Sequence, residues 1–323
     1  DGAPIPYLIE RGYSEGLAPA EAWIAGDESR SQVIKGQLGT AEPGEMQKVL
    51  ASVMSEQVIS ASDCGTRNGI TISADDPAIE GRYTTSGSFL DGREASSLAR
   101  RGGNIRVRSP MTCEQDSGVC QKCMGTSTKG KSFDIGSNVG IRSAQSLSEP
   151  LTQMVLSAKH GVSLVEGDHN VPRGLAAFKQ FVEVPKNFFH RAPIAETSGR
   201  INSIVKAPQG GLDVDIEGKA HYVPPGRDLK VKKGQRVSAG DVISSGIVAP
   251  DDVVRHKGLG EGREYLVKSL RNVYKDSGKD LDPRHFELLA RSQLNYVRVQ
   301  GGVPGYIPGD VVSVSNVRKA FER

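Results

Sequence analysis

The stretch "RSAQSLSEPLTQMVLSAKHGV", residues 142–162, has a helical pattern on both sides of a proline. Pro150 lacks a backbone amide and disfavours helical geometry at Glu149, so a helix over 141–148 is predicted to end or kink there and a new helix to begin. In the second helix the apolar side chains share one stripe: Leu151, Met154, Val155 and Ala158. A different face carries Gln153, Leu156, Ser157 and His160, before a stop at Gly161.

A return helix is predicted from about Pro172, in "PRGLAAFKQFVEV" (172–184). Two helices joined by a loop bounded by glycine and proline form a hairpin whose tip could fold or melt. On pattern alone this is typical of an ordinary helical hairpin with a solvent-facing histidine.

Length and charge set limits on the class of protein. The 323 residues exceed what one ordinary core accommodates, so two or more domains are expected. The 41 lysines and arginines outnumber the 38 aspartates and glutamates by only three, too few to indicate nucleic-acid binding by themselves. No apolar run reaches the length of a membrane span and no signal peptide opens the chain, so a soluble, intracellular protein is expected.

Four cysteines predict a zinc site: Cys64, Cys113, Cys120 and Cys123. The last three have the spacing C-x6-C-x2-C, and C-x2-C lets two thiolates reach one ion across a tight turn. A closed four-thiolate shell leaves no position for water, so the zinc would be structural. Two disulfides, unpaired thiols in a reducing cytosol and a redox C-x2-C are the alternatives.

Pattern and composition divide the chain into five regions of a multidomain α+β protein. Residues 1–58 end in a long helical candidate from Ser29 to Val58, although Pro43-Gly44 inside it predicts a break by local rules. Residues 59–135 predict short strands and loops around the cysteines, and 136–184 hold the hairpin. Short strands with glycine turns follow over 185–254, and helices return over 255–323, where Asp282-Pro283 suits a helix start.

Several motifs together resemble the C-terminal part of the β′ (largest) subunit of bacterial-type multisubunit DNA-directed RNA polymerases. "VGIRSAQSLSEPLTQMVLSAKHG" (139–161), preceded by "CEQDSGVCQKC" (113–123), is similar to the run that leads into the family's trigger loop. "SDCGT" (62–66) resembles the segment with its first zinc cysteine, and "YSEGL" (13–17) with the following helix resembles its F-loop and bridge helix. "YIPGDVVS" (306–313) resembles its final turn, so the markers cover almost the whole chain.

This resemblance implies a particular fold. It comprises an F-loop-like segment and a long bridge-type helix at 1–58, a zinc-binding module at 59–135, a trigger-loop helical hairpin at 136–184, a barrel-sandwich-hybrid-like β domain at 185–254 and C-terminal helices at 255–323. The resemblance predicts a continuous but kinked bridge helix despite Pro43. In the β domain, Lys219 lacks the neighbours of a modified carrier lysine, so a structural module is expected.

The resemblance also assigns roles to side chains. Gln153, Leu156 and His160 would face the incoming ribonucleoside triphosphate, with Leu156 on the base and His160 near the phosphates as a hydrogen-bond donor or positional acid. Thr40 and Ala41 would lie beside the templating base pair. Candidates for template or hybrid phosphates are Arg30, Lys35 and Lys48. The densest basic cluster, a candidate DNA contact, is Arg100, Arg101, Arg106 and Arg108.

One departure from the family concerns the residues that bind the catalytic metal. The family chelates catalytic Mg²⁺ with an Asn-Ala-Asp-Phe-Asp-Gly-Asp motif, which this sequence lacks; its nearest imitation is Asp213 and Asp215. This implies half of a split β′, inactive alone, with Mg²⁺ held by a partner chain. The expected partners are an N-terminal β′-like chain, β-like chains, DNA template, RNA and ribonucleoside triphosphates.

The compact organisation is most similar to polymerases of large bacteriophages, which act in the cytoplasm of a bacterial host or travel in a virion. Ser157 stands where the family usually has an arginine, so an ionic grip on the phosphates is missing. The alternative is a non-catalytic, zinc-containing nucleic-acid-binding or assembly protein that retains the polymerase fold.

Overall fold

The computed structural model describes residues 7–157 and 174–322, with backbone only at 28, 31, 32, 35, 156, 157 and 322. Helices and strands are both present, as the predicted mixed class requires. Within the described residues, no helix is long and apolar enough to cross a membrane.

The long helix predicted over 29–58 is two helices. Helix α1 (Pro19–Leu38) begins before Ser29, and α2 (Ala41–Met54) ends before Val58; Gly39 and Thr40 separate them. The break therefore precedes Pro43, which occupies the first turn of α2, where its missing amide has no intrahelical partner in any case. The first backbone bond of α2 runs from the Gly44 amide to the Thr40 carbonyl, 3.1 Å. The prediction of one continuous, kinked helix is wrong.

The region of the cysteines contains short strands, two α-helices and two short 3₁₀ helices, Pro77–Ile79 and Pro110–Thr112. Its elements are β1 (Ile59–Ala61), β2 (Ile70–Ser73), α3 (Gly92–Arg101), β3 (Asn104–Val107), β4 (Val119–Cys120) and α4 (Gln121–Met124). Strands β1 and β4 pair in parallel, and β2 and β3 pair antiparallel. Helix α3 was not predicted, although Asp91 caps it by accepting hydrogen bonds from two amides in its first turn.

Helix α5 (Val139–Ser157) runs through Pro150 as a single element. The prediction that a new helix begins after Glu149 is therefore wrong, whereas the predicted kink at Pro150 stays a prediction. Pro150 removes one backbone bond, and Leu147 and Leu151 on either side of it are fully buried. Burying each leucine contributes about 1.5–3 kcal/mol, which together offsets the cost of about 3 kcal/mol for an interior proline. Helix α6 (Gly174–Glu183) corresponds to the predicted return helix.

The segment after α6 forms a small β unit. Its strands are β5 (Gly199–Lys206), β6 (Leu212–Ile216), β7 (Lys219–Val223) and β8 (Arg236–Val237), which form an antiparallel sheet in the order β7-β6-β5-β8. Alternation places Val214 and Ile216 in a separate apolar core, so Asp213 and Asp215 lie on the other face, half-buried. Lys219 is paired with Glu196.

The C-terminal region is mainly helical, as predicted, with a strand pair near its end. Its elements are α7 (Pro250–Lys257), α8 (Leu259–Asp276), α9 (Pro283–Gln293), β9 (Tyr296–Arg298), β10 (Val311–Ser313) and α10 (Val314–Glu322). The predicted cap of α9 is confirmed, because Asp282 accepts a 2.9 Å hydrogen bond from the Arg284 amide. Burial alone would raise the pKa of Asp282, but the hydrogen bond and charge of Arg284 outweigh it and lower that pKa to about 2.

The main core joins the hairpin, the cysteine region and the C-terminal helices. Helix α5 packs against both α2 and α9. In the centre, the Tyr274 ring meets Phe178 and Phe286 at centroid distances of 5.9 and 5.1 Å. Its hydroxyl donates a 2.6 Å hydrogen bond to the Leu147 carbonyl, three residues before Pro150. Packing from several sides therefore holds α5 in place.

Candidate functional site

The four predicted zinc ligands converge from widely separated positions in the chain. Their sulfurs all lie within 4.8 Å of one another. The Sγ of Cys64 is 3.7 Å from that of Cys123 and 3.8 Å from that of Cys113. A tetrahedral shell with zinc–sulfur bonds of about 2.3 Å has edges of about 3.8 Å, so this donor set fits zinc. A disulfide requires about 2.05 Å, so the disulfide alternative does not describe these cysteines.

Local structure explains how the cysteines meet. The β1–β4 pairing places Cys120 beside Ala61, three residues before Cys64. This pairing needs glycine at 118, because a Cβ there would lie 2.0 Å from the Val58 carbonyl oxygen. The amide of Cys123 donates to the Cys120 sulfur at 3.4 Å, and the amide of Cys120 donates to the Cys113 sulfur at 3.4 Å. Amide donors of this kind favour thiolates, the form that binds metal.

A buried arginine lies over the cysteines. Nη2 of Arg108 donates to the sulfurs of Cys64, Cys123 and Cys120 at 3.1, 3.3 and 3.4 Å. Its Nη1 is 2.7 Å from the Asp63 carboxylate, whose other oxygen is 2.7 Å from Lys122 Nζ. The Lys122 hydrogen bond, the Gly65 amide and Arg108 lower the pKa of Asp63 to about 2 against the effect of burial. Burial by itself would lower the pKa of Arg108. Its sulfur and carboxylate partners together have the larger, opposite effect, so the pKa lies above its usual value.

The predicted basic cluster is therefore divided. Arg108 is only 3% exposed and is engaged by sulfur and carboxylate, so it does not serve as a DNA contact. Arg100, Arg101 and Arg106 are exposed on α3 and β3. The sequence grouped the four residues by proximity, but strand alternation in β3 turns Arg106 outward and leaves Val107 buried.

One face of α9 supports the cysteine region, a role that was not predicted from the sequence. Arg291 donates four hydrogen bonds, of 2.7–3.1 Å, to the carbonyls of Pro110, Cys113, Gln115 and Gly118. Arg284 donates to the carbonyls of Met124 and Thr126. The spacing 284, 287, 291 was the available signal, because it places three charged side chains on one helical face.

Glu287, on the same face, is part of a buried ion pair. Its carboxylate accepts two hydrogen bonds from Arg82, and each side chain is only 1% exposed. Ser109 also donates to Glu287, at 2.6 Å. Helix α9 thus holds the backbone around the four cysteines through buried charged groups.

A polar cleft separates α2 and α5. It has a volume of about 420 Å³ and is lined by Gln47, Gln145, Glu149, Thr152 and Gln153. Beyond one end of it, the chain that follows α2 is hydrogen-bonded to the start of α5: Asn138 Nδ2 donates to the Ser55 carbonyl at 2.8 Å, and the Gly140 amide donates to the Gln57 carbonyl at 2.9 Å. The lining groups can donate and accept hydrogen bonds, as a sugar or a polyphosphate requires.

The other predicted site residues are only partly brought together. Gln153 is exposed in the cleft, and Lys279 Nζ donates to its Oε1 at 2.7 Å. His160 lies outside the described residues, as do the side chains of Leu156 and Lys35.

Thr40 is half-buried between α1 and α2, and Ala41 is the exposed first residue of α2. Lys48 is exposed on α2. Arg30 pairs with Asp27 at 3.5 Å and lies over the Trp23 ring, so its charge is partly engaged within α1.

Comparison with known proteins assigns the family. The sequence model of RNA polymerase Rpb1, domain 5, matches residues 16–209. The chain belongs to this family. The Rpb1 domain 5 match includes α2, the four cysteines and the cleft, so the motif resemblance to the C-terminal region of bacterial β′ is confirmed at this level.

Curated relatives agree with the family. The chain is 30% identical to "DNA-directed RNA polymerase subunit beta'" of Moorella thermoacetica and of Clostridioides difficile, over 99% and 98% of its own length. It is 29% identical to the protein of that name from Acetivibrio thermocellus, over 97% of its length. In each case the chain spans only about 30% of the relative's length.

Proposed function

We propose that this chain is the C-terminal β′-like subunit of a multisubunit DNA-directed RNA polymerase in which β′ is split. In this proposal the two separate helices α1 and α2 take the place of a single bridge helix, and α5 and α6 form the trigger-loop hairpin. The region of β1–β4 is the zinc-binding module, β5–β8 belong to the barrel-sandwich-hybrid-like domain, and α7–α10 form the C-terminal region. The setting we propose is a large bacteriophage polymerase in the cytoplasm of its bacterial host.

The observation that carries the proposal is the polar cleft between α2 and α5. Both helices come from segments that resemble the moving parts of a nucleotide-addition site, and they pack against each other. Positioning a nucleotide between two helices lowers a reaction barrier by several kcal/mol, and closure of a lid repeats this on each cycle. In the proposal Gln153 hydrogen-bonds the sugar or phosphates, and His160 and Leu156 complete the same face.

This proposal assigns the two metals, Zn²⁺ and Mg²⁺, to different chains. The cysteines would hold structural Zn²⁺, which supplies a rigid link between distant parts of the module. In the part of the chain that the structure describes, they are the one group of three or more metal-binding side chains found together. Catalytic Mg²⁺ would therefore be held by aspartates of a partner chain, and this chain would be inactive alone.

The first test is copurification. The affinity-tagged chain is isolated from cells that make it, and its partners are identified by mass spectrometry. We expect β-like chains and a chain with the aspartate motif, in a complex that extends RNA on a DNA–RNA scaffold. A stable complex that lacks the aspartate chain and does not extend RNA would favour the alternative of a non-catalytic assembly protein.

The second test addresses individual side chains. His160→Ala should slow single-nucleotide addition at least about tenfold, and by about 10² or more if His160 acts as an acid. Gln153→Ala should slow it about three- to tenfold, the equivalent of one hydrogen bond. Lys279→Ala removes the partner of Gln153, and Gln209→Ala changes an exposed glutamine in the β unit; both should leave the rate unchanged. Normal rates in both of the first two variants would refute the trigger-hairpin assignment without refuting the polymerase assignment.

A further inference from the structure

The guanidinium of Arg108 covers one face of the sulfur cluster. Three sulfurs lie within 3.4 Å of Nη2, and the shortest contact, 3.1 Å, is to Cys64. The fourth ligand, Cys113, lies away from this face and accepts its hydrogen bond from a backbone amide instead. One nitrogen thus donates to the three sulfurs of a face. Among the described residues, the amides of Cys120 and Cys123 each donate to one sulfur.

The rest of the residue is held rigidly. The Arg108 amide donates to the Tyr83 carbonyl at 2.7 Å, and the preceding residue, Val107, is paired with Ile70 in the β2–β3 sheet. Asp63 engages Nη1, so the two ends of the fork have different partners. A planar guanidinium can make both interactions at once, whereas a lysine ammonium would make them as a point charge.

Charge explains why a cation belongs there. Four thiolates around Zn²⁺ carry a net charge of 2−, and three of the four cysteines are buried. A buried charge is costly unless it is paired and hydrogen-bonded. Lys122 is 39% exposed and pairs with Asp63, so the buried guanidinium is the cation in direct contact with sulfur among the described residues.

Exposure identifies the sulfur that most needs this contact. Cys64 is half-buried, whereas the other three cysteines are buried. A zinc-bound thiolate remains a nucleophile, and a hydrogen bond to its lone pair draws electron density from it. An electrophile from solvent would therefore meet Cys64 first, at the sulfur with the shortest contact to Arg108.

We propose that Arg108 is the counter-ion of the four-cysteine zinc shell and that it restrains the nucleophilicity of Cys64, the ligand open to solvent. Arg108 is thus a positioning residue that controls how firmly the metal is retained under attack by electrophiles. The inference rests on the proposed zinc site and is independent of polymerase activity.

The test compares zinc release from the full chain in two arginine variants. Zinc-loaded protein is treated with N-ethylmaleimide, and released zinc is followed with the chromophore 4-(2-pyridylazo)resorcinol. In the reaction, the Cys64 sulfur bonds to an alkene carbon, the neighbouring carbon takes a proton from water, and the zinc–sulfur bond breaks. Arg108→Gln should release zinc at least about tenfold faster than the wild type, the equivalent of one charge-assisted hydrogen bond. Arg106→Gln, which changes an exposed arginine on β3 two residues before Arg108, should not change the rate.

Two further measurements keep the outcome clear. Peptide mapping by mass spectrometry should find Cys64 alkylated first in the wild type and faster in Arg108→Gln. If that variant does not fold, Arg108→Lys takes its place and should release zinc faster than the wild type, because it keeps the charge and loses the fork. Its cobalt-substituted form should show a shifted sulfur-to-metal absorption band, whereas that of Arg106→Gln should not.

The failures are distinguishable. A wild-type chain that contains no zinc by metal analysis would overturn the zinc site itself. A wild-type chain with about one zinc, and an Arg108 variant whose release rate and alkylation pattern match those of Arg106→Gln, would overturn the role of Arg108 alone. Neither result bears on nucleotide addition.

Discussion

Gly140→Ala tests the contact between α2 and α5 on which the proposed function depends. Gly140 is the second residue of α5, and a Cβ added there would lie 1.8 Å from the Met54 carbonyl oxygen and 2.9 Å from the Gln57 Cβ. Real Cβ atoms essentially never approach closer than 3.0 Å, so the two helices would have to separate by about 1.2 Å. The obstacle is backbone, so no side-chain rotation relieves it.

The expected cost follows from these contacts. Overpacking a core costs about 1–3 kcal/mol, and the upper end applies because the Met54 carbonyl is part of α2. The same displacement weakens the 2.9 Å bond from the Gly140 amide to Gln57, worth about 1 kcal/mol. Replacing glycine in a helix returns at most about 1 kcal/mol. The net loss in free energy of unfolding should be about 3 kcal/mol.

The assay is equilibrium unfolding in urea, with Gly44→Ala as the matched control. Gly44 is also helical, in α2, but a Cβ there would meet nothing within 4 Å. Gly44→Ala should therefore raise the free energy of unfolding, by up to about 1 kcal/mol. If Gly140→Ala were as stable as the wild type, the close α2–α5 contact described above would be refuted.

Three other outcomes are expected. Glu287→Gln leaves the Arg82 charge buried without its counter-ion, so urea unfolding should show a loss of about 3–5 kcal/mol; a loss below about 1 kcal/mol would contradict the buried pair. Tyr274→Phe removes one buried hydrogen bond to Leu147, and thermal unfolding should report a loss of about 1 kcal/mol with unchanged circular dichroism. The pKa of Asp282 is lowered in the folded protein to about 2, so its contribution is present above its unfolded pKa of about 4 and is lost as the pH falls from about 4 to 2; Asp282→Ala should flatten the pH dependence of unfolding in that window.

The four cysteines could be grouped from the sequence as candidate metal donors, because three of them lie close together in one motif and Cys64 is the one remaining cysteine of the chain. C-x2-C brings two thiolates to one turn, and only a few residue types bind zinc. The cap of α9 was predictable for the same reason, since Asp282 and its amide partner are two residues apart. The family was also readable from motifs that keep their order along the chain.

The hydrogen bonds and ion pairs around the four cysteines were not predictable from the sequence. Arg108 appeared to belong to a basic surface cluster, and only the folded sheet turns it toward sulfur. Arg291 and Glu287 act on groups more than 170 residues earlier in the chain. Sequence spacing placed them on one face of α9 but carried no information about what that face meets.

By itself the sequence determined which cysteines could bind a metal, the family and the helical character of the hairpin, because those features depend on residue types, on the order of motifs and on nearby residues in the chain. Tertiary structure decided whether α5 continues through Pro150, where the chain breaks between α1 and α2, and which charged side chains are buried. The hydrogen bond lost at a proline costs a few kcal/mol. Whether the helix continues depends on how much side-chain surface it buries against distant segments, and the order of residues along the chain does not specify those contacts.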